Sequence, residues 1–180
     1  ERDTKIKSLL KDNDIEVKTF NASLLWEPWE ILKDDNTPYK VFSPFYRKGC
    51  LKKHAGPREV VAKNDYSFSD KLASSSDIDS LNLLPKHHWK DKLNKHWKIG
   101  EESAMEKYIH FRDNGLTGYK EGRNFPAQEN VSVLSPHLHF GEISPHQIWF
   151  DNKSACPEKD VAHFHSELGW REFSYYLISV

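Results

Sequence analysis

Ser132-Val133-Leu134-Ser135-Pro136-His137-Leu138-His139-Phe140-Gly141-Glu142-Ile143-Ser144-Pro145-His146-Gln147 holds two helix starts in quick succession. Proline suits the first helical position, because it lacks the N–H that a helix start leaves unpaired, and serine before it can cap. At the second start, Gln147 lies three residues after Ser144 and completes a capping box. Helices on either side extend the pattern. Upstream, Ala104, Tyr108 and Phe111, with Ile109 beside them, mark one face of a helix that begins near Gly100 and stops at Asn114-Gly115. A loop through Gly118 and Gly122 follows it. Downstream, a last helix runs from about Val161 to the end. Residues 99–180 therefore read as the first helices of an all-α unit.

The opening of the chain has a different texture. Ile6, Leu9 and Leu10 recur at helical spacing until Asn13-Asp14, and Ile15, Val17 and Thr19 then alternate with polar residues as a strand ending near Phe20. One helix and one strand cannot bury both faces of a sheet, so residues 1–30 read as an α/β remnant. A turn-rich stretch follows from Asn21 to Pro38. Ser43-Pro44 then predicts a helix through Tyr46, Arg47 and Leu51 toward Lys53. From His54 to Leu84 the sequence is polar, with Ser74-Ser75-Ser76-Asp77 at its centre, as in a linker. His87-His88-Trp89-Lys90 and Lys95-His96-Trp97-Lys98 read as linker with tryptophan anchors more readily than as a nucleic-acid contact. The predicted order is thus α/β remnant at 1–30, long linker with short helices at 31–98, and helical unit at 99–180.

Composition narrows the classes without choosing among them. Charged residues make up 29% of the 180 and hydrophobic ones 37%, a soluble protein with a thin core or a piece of a larger one. No apolar run approaches the roughly 20 residues that span a bilayer, and no signal-peptide pattern opens the chain, so no membrane partner and a cytoplasmic location are expected. Cys50 and Cys156 are isolated, which gives neither a metal spacing nor a disulfide framework. Net charge is −1, with a basic excess before residue 97 and an acidic one after it. Nucleic-acid binding would have to come from a local patch. The chain opens at Glu1 without a Met, which suggests an upstream N-terminus.

Two segments carry chemistry. Ser132 and Ser135 stand at a helix mouth, where backbone donors and the positive helix end suit an anion such as a pyrophosphate, although Ser-Pro is above all a helix-start device. Arg123, just past Gly122, can fork onto a phosphate or face solvent. In Glu167-Leu168-Gly169-Trp170-Arg171-Glu172-Phe173, positions 167, 170 and 171 share a helix face. That face offers a carboxylate for a base edge, an indole for stacking on an extruded base, and a guanidinium for phosphate. The plainer alternative is a surface Glu–Arg pair with Trp170 in the core.

In order along the chain, these segments resemble the photolyase/cryptochrome family, most closely class I DNA photolyases. The likeness begins at Pro38-Tyr39-Lys40-Val41-Phe42-Ser43-Pro44-Phe45 and continues through Tyr119, Arg123 and Pro126 into Ser132–Pro145. It closes at Glu167–Phe173. The resemblance implies the end of a Rossmann-like antenna domain, a linker, and the start of a helical FAD-binding domain. Tyr119, Val131, Ser132, Val133, Leu134 and Ser135 match FAD contacts, and Arg171 lies near the flavin. Arg123 matches a DNA-phosphate contact, and Glu167 and Trp170, the catalytic candidates, match residues that meet a flipped pyrimidine dimer, with Arg171 beside them at the DNA.

The implied function is light-driven DNA repair by electron transfer from excited reduced FAD to a cyclobutane pyrimidine dimer, the reaction of a deoxyribodipyrimidine photo-lyase. The implied partner is UV-damaged DNA, the protein is expected to be a monomer, and a folate or deazaflavin antenna chromophore would sit further upstream. A cryptochrome photoreceptor is the alternative. Three departures stand out: Val131 replaces a usual Thr, Asn124 a usual Asp, and Val133 a residue that is often polar or basic. In the family the flavin-ring contacts and the tryptophan electron-transfer chain come later, so these 180 residues alone are expected to bind FAD poorly and to be inactive.

Overall fold

The structure is a computed structural model that describes residues 2–21, 23–53, 67, 77–83, 87–151 and 156–179. Most of the predicted linker from His54 to Leu84, including Ser74-Ser75-Ser76, lies outside the described residues, as does Val180. Among the described residues the chain is helical and forms no strand. It divides into two compact units, residues 1–55 with 166–180, and residues 56–165.

The first unit opens with α1 (Arg2–Asp12), which buries none of its residues. Asn13 ends it by donating from its side chain to the Leu9 carbonyl at 2.8 Å, and Asp14 turns into the left-handed region at φ 57°. The strand predicted from Ile15 to Phe20 does not form. A strand exists only through its ladder partners, and no described residue pairs with this one, which leaves Ile15 and Phe20 exposed. A single bridge between Leu32 and Pro38 closes a tight turn instead. There the Asp35 carboxylate accepts the Thr37 N–H at 2.9 Å and its hydroxyl at 2.6 Å.

The helix predicted with Ser43 as cap and Pro44 as first residue starts two residues earlier. α2 (Phe42–Pro44) has Val41 at its cap position with no side-chain cap, and it runs on as a π-helical turn over Phe45–Cys50. The Phe45 N–H already bonds the Val41 carbonyl at 3.2 Å, so Ser43 falls inside the first turn and cannot cap it. Phe45, Tyr46 and Cys50 are buried. Against Phe45 lie Phe173 and Tyr176 from the far half of α8 (Glu158–Ser179), which belongs to the same unit from Ser166 on. The Phe45 ring centroid is 5.0 Å from Phe173 and 4.7 Å from Tyr176. Each ring removed from water contributes about 1.5–3 kcal/mol, which is what holds segments more than a hundred residues apart in sequence.

The second unit contains α3 (Trp89–His96), α4 (Glu101–Asn114), α5 (Tyr119–Gly122), α6 (Ser135–Phe140), α7 (Pro145–Phe150) and the first turns of α8. The predicted helix face is the one that packs: Ala104, Tyr108 and Phe111 are all buried. Phe111 meets Phe164 with centroids 4.9 Å apart, and the Tyr108 hydroxyl donates to the Asp151 carbonyl at 2.5 Å. The capping box at α7 is present as expected, with Ser144 accepting from His146 N–H at 3.2 Å and Gln147 accepting from Ser144 N–H at 3.0 Å. α3 stands where the Trp- and His-rich clusters read as linker. No helix among the described residues is long and apolar enough to cross a membrane.

Candidate functional site

In the second unit, α5 begins at Tyr119 because Gly118 can take a φ of 81° at its cap position. Asp160, buried on α8, accepts the Gly118 and Lys120 N–H groups at 3.0 Å each, so its carboxylate caps a helix only one turn long. Burial alone raises the Asp160 pKa, but the two backbone donors together with Lys159 and Lys120 outweigh it, and the net shift is downward. Tyr119 is held edge-on by Phe111 at 5.7 Å and by Phe164 at 5.3 Å, and the Arg123 guanidinium lies 5.4 Å over its ring. The Asn130 side chain donates to the carbonyls of Gly115 at 2.7 Å and Thr117 at 3.1 Å, which ties residues 115–117 to the segment that enters α6.

That segment ends in a helix start unlike the one at α7. Leu134, not Ser135, is the cap residue of α6, and no side chain caps it; Ser135 is the first helical residue and is exposed. Val131 and Val133 are exposed, Ser132 is half-buried, and Leu134 is buried. Val133 sits at φ 52°, a left-handed conformation that is strained for a β-branched residue. Tyr119, Arg123 and residues 131–135 thus all fall in the second unit, on consecutive short elements.

A cavity of about 460 Å³ opens further along α6, lined in part by Trp97, His137, Phe140 and Glu142. None of the expected site residues lines it. His137 Nδ1 lies 2.5 Å from Glu142, and that hydrogen bond is the chief reason the Glu142 carboxyl is held below its usual range.

In the first unit, α8 carries Glu167, Trp170 and Arg171. Trp170 is 46% exposed, so the plainer alternative of a core indole does not hold. Its ring is stacked on Phe42 with centroids 3.7 Å apart and 13° between planes. Nor does Arg171 form the Glu167 surface pair of that alternative. Its Nη1 donates to Glu172 at 2.9 Å, its guanidinium lies 5.1 Å over the Tyr175 ring, and Nη2 is buried with no hydrogen-bond partner among the described residues. Glu167 is half-buried on the same helix.

Sequence reasoning missed Glu172, which anchors this region. Its buried carboxylate accepts the N–H groups of Leu25 at 2.8 Å and Trp26 at 3.4 Å. Burial pushes its carboxyl up to about 7, against the pull of Arg171 and the two amides. It also missed Asp160 and Phe42. The one available signal was an acidic residue at an otherwise buried position of a helix, because a buried carboxylate needs donors nearby.

The match to the DNA photolyase family model covers residues 1–63. The chain is 36% identical to a deoxyribodipyrimidine photo-lyase of Agrobacterium fabrum, with 98% of the chain and 37% of the relative aligned. It is 28% identical to Cryptochrome-1 of Arabidopsis thaliana, over 98% of the chain and 27% of that protein. Among solved structures, a bacterial class III photolyase from Agrobacterium tumefaciens superposes with a TM-score of 0.83 at 32% identity, covering 98% of the chain and 37% of that protein. The chain therefore spans a little over a third of the length of the photo-lyase relatives it matches. These similarities do not single out class I, which the motifs had suggested.

Proposed function

We propose that the chain is part of a photolyase/cryptochrome-family protein, and within it part of a light-driven repair enzyme for cyclobutane pyrimidine dimers in DNA. Residues 1–30 end its antenna domain, residues 31–98 cross to the helical domain, and residues 99–180 open the FAD-binding domain. Tyr119 and the run Val131, Ser132, Val133, Leu134 and Ser135 hold FAD, and the uncapped start of α6 with an exposed Ser135 suits an anionic group there. Bound FAD supplies the light-driven one-electron chemistry. A second chromophore of folate or deazaflavin type belongs to the antenna domain.

The chain's own residues bind and orient the lesion. Arg123 takes a DNA phosphate. Trp170 stacks on the extruded dimer, which offsets the few kcal/mol that unstacking costs. Glu167 accepts from a pyrimidine N–H as the carboxylate, or donates to a carbonyl when protonated. Arg171 retains a buried Nη2 donor for an acceptor on the flavin or DNA side. The observation that carries the reading is Trp170 itself, half-exposed on α8 one helical turn from Glu167.

The test irradiates the full-length enzyme of which the chain is proposed to form part, carrying reduced flavin, with blue light in the presence of an oligonucleotide containing one thymine dimer. Loss of the lesion is expected. Bound reduced flavin with no loss would favour the photoreceptor reading, to which the likeness to Cryptochrome-1 gives weight.

A further inference from the structure

Trp170 does not stand alone on α8. Phe42 lies parallel to the indole at 3.7 Å, and Tyr46 stacks on Phe42 in turn at 5.4 Å with 11° between planes. Phe173 meets both Phe42 and Trp170 edge-on, at 5.9 and 6.0 Å. Gly169 makes room for this column, since a Cβ there would meet two carbons of the Tyr46 ring at 2.6 Å. All of these residues belong to the first unit.

A parallel ring at stacking distance occupies one face of an indole and shuts every other planar group out of it. Trp170 nevertheless stays 46% exposed, so the open area lies away from Phe42. The column also fixes the torsions of the indole before any ligand arrives, and a ring already fixed loses less entropy when a base stacks on it. We propose that Phe42 is a positioning residue: it fills one face of the Trp170 indole and holds it so that a planar, base-like ligand stacks on the other. The identity of that ligand as a pyrimidine dimer rests on the repair reading above.

Two measurements on the chain test this. The first is acrylamide quenching of tryptophan fluorescence without DNA, with the Trp170 part obtained by difference against Trp170→Phe. Phe42→Leu should raise the quenching of that part about twofold by uncovering a face, and Phe42→Tyr, which keeps the ring, should leave it unchanged. The second is binding of an oligonucleotide with one thymine dimer against its intact twin. Phe42→Leu should weaken dimer binding about 3- to 10-fold, Phe42→Tyr should stay within about twofold, and Phe42→Leu added to Trp170→Ala should cost nothing further. Phe42→Met serves in place of Phe42→Leu should the latter fail to fold.

Unchanged quenching in Phe42→Leu overturns the proposal. So does a Phe42→Leu loss of DNA binding that persists in the Trp170→Ala background, which marks a folding defect. If quenching moves as expected but Trp170→Ala leaves dimer selectivity intact, the repair reading fails while the hold of Phe42 on the indole stands.

Discussion

At the scale of single residues, Trp170 decides most. A half-exposed indole with one face covered is a platform, and a platform acts only on ligands that present a flat surface. Trp170→Ala should therefore weaken binding to dimer-containing DNA by about 10-fold, the equivalent of one lost base stack. Undamaged DNA, held through its phosphates, should be affected far less. Equal losses for both DNAs in a gel-shift titration would make the indole a packing residue instead. Val133 supplies a second residue-scale contrast. Its positive φ costs on the order of 1–3 kcal/mol, and it falls within the run proposed to hold the cofactor. Trp170 was legible because a motif fixes its neighbours. The strain at Val133 was not, because it belongs to the backbone and not to the residue type.

At the scale of elements, helices that carry a local spacing or capping signal were readable and those without one were not. α4 and the capping box of α7 declare themselves through local spacing, since each is stabilised by residues three or four positions apart. α5 has four residues and no such internal signal. It exists because Asp160, some forty residues later, accepts its first N–H groups. The strand predicted at Ile15 failed for the converse reason, as its local alternation was right and its ladder partner is lacking among the described residues. Asp160→Asn leaves one oxygen to serve two donors. It should cost about 1.5–3 kcal/mol in urea unfolding, the range for a hydrogen bond to a charged group. Faster hydrogen exchange at Gly118 and Lys120 would locate the loss at α5, and unchanged exchange at those two amides would refute the capping role. Gly122 depends on the same tightness, because a Cβ there would run into the Asn130 side chain.

At the scale of the whole molecule, the two units respond to acid in opposite directions. Glu172, in the first unit, has its carboxyl raised from 4.5 to about 7 by burial. The folded state therefore binds a proton more tightly than the unfolded chain. The stability this contributes is fully present below about pH 4.5 and is lost as pH rises toward 7, to the extent of roughly 3 kcal/mol. His165, in the second unit, is lowered by burial from 6.5 to about 4, and it lies flat on Trp149 with centroids 3.9 Å apart. Here the unfolded chain takes the proton first, so the contribution is present above pH 6.5 and is lost as pH falls toward 4. Asp160 and Glu142, both held below their usual carboxylate range, lose their contributions at still lower pH. Between pH 7.5 and 5, amides in residues 25–50 should gain protection from hydrogen exchange relative to those in 104–150, after correction for the intrinsic rate. Glu172→Gln removes the titrating proton and should flatten the response of residues 25–50 alone. If both regions lose protection together on acidification, burial does not control Glu172, and the Arg171 guanidinium with the Leu25 and Trp26 amides keeps it ionised.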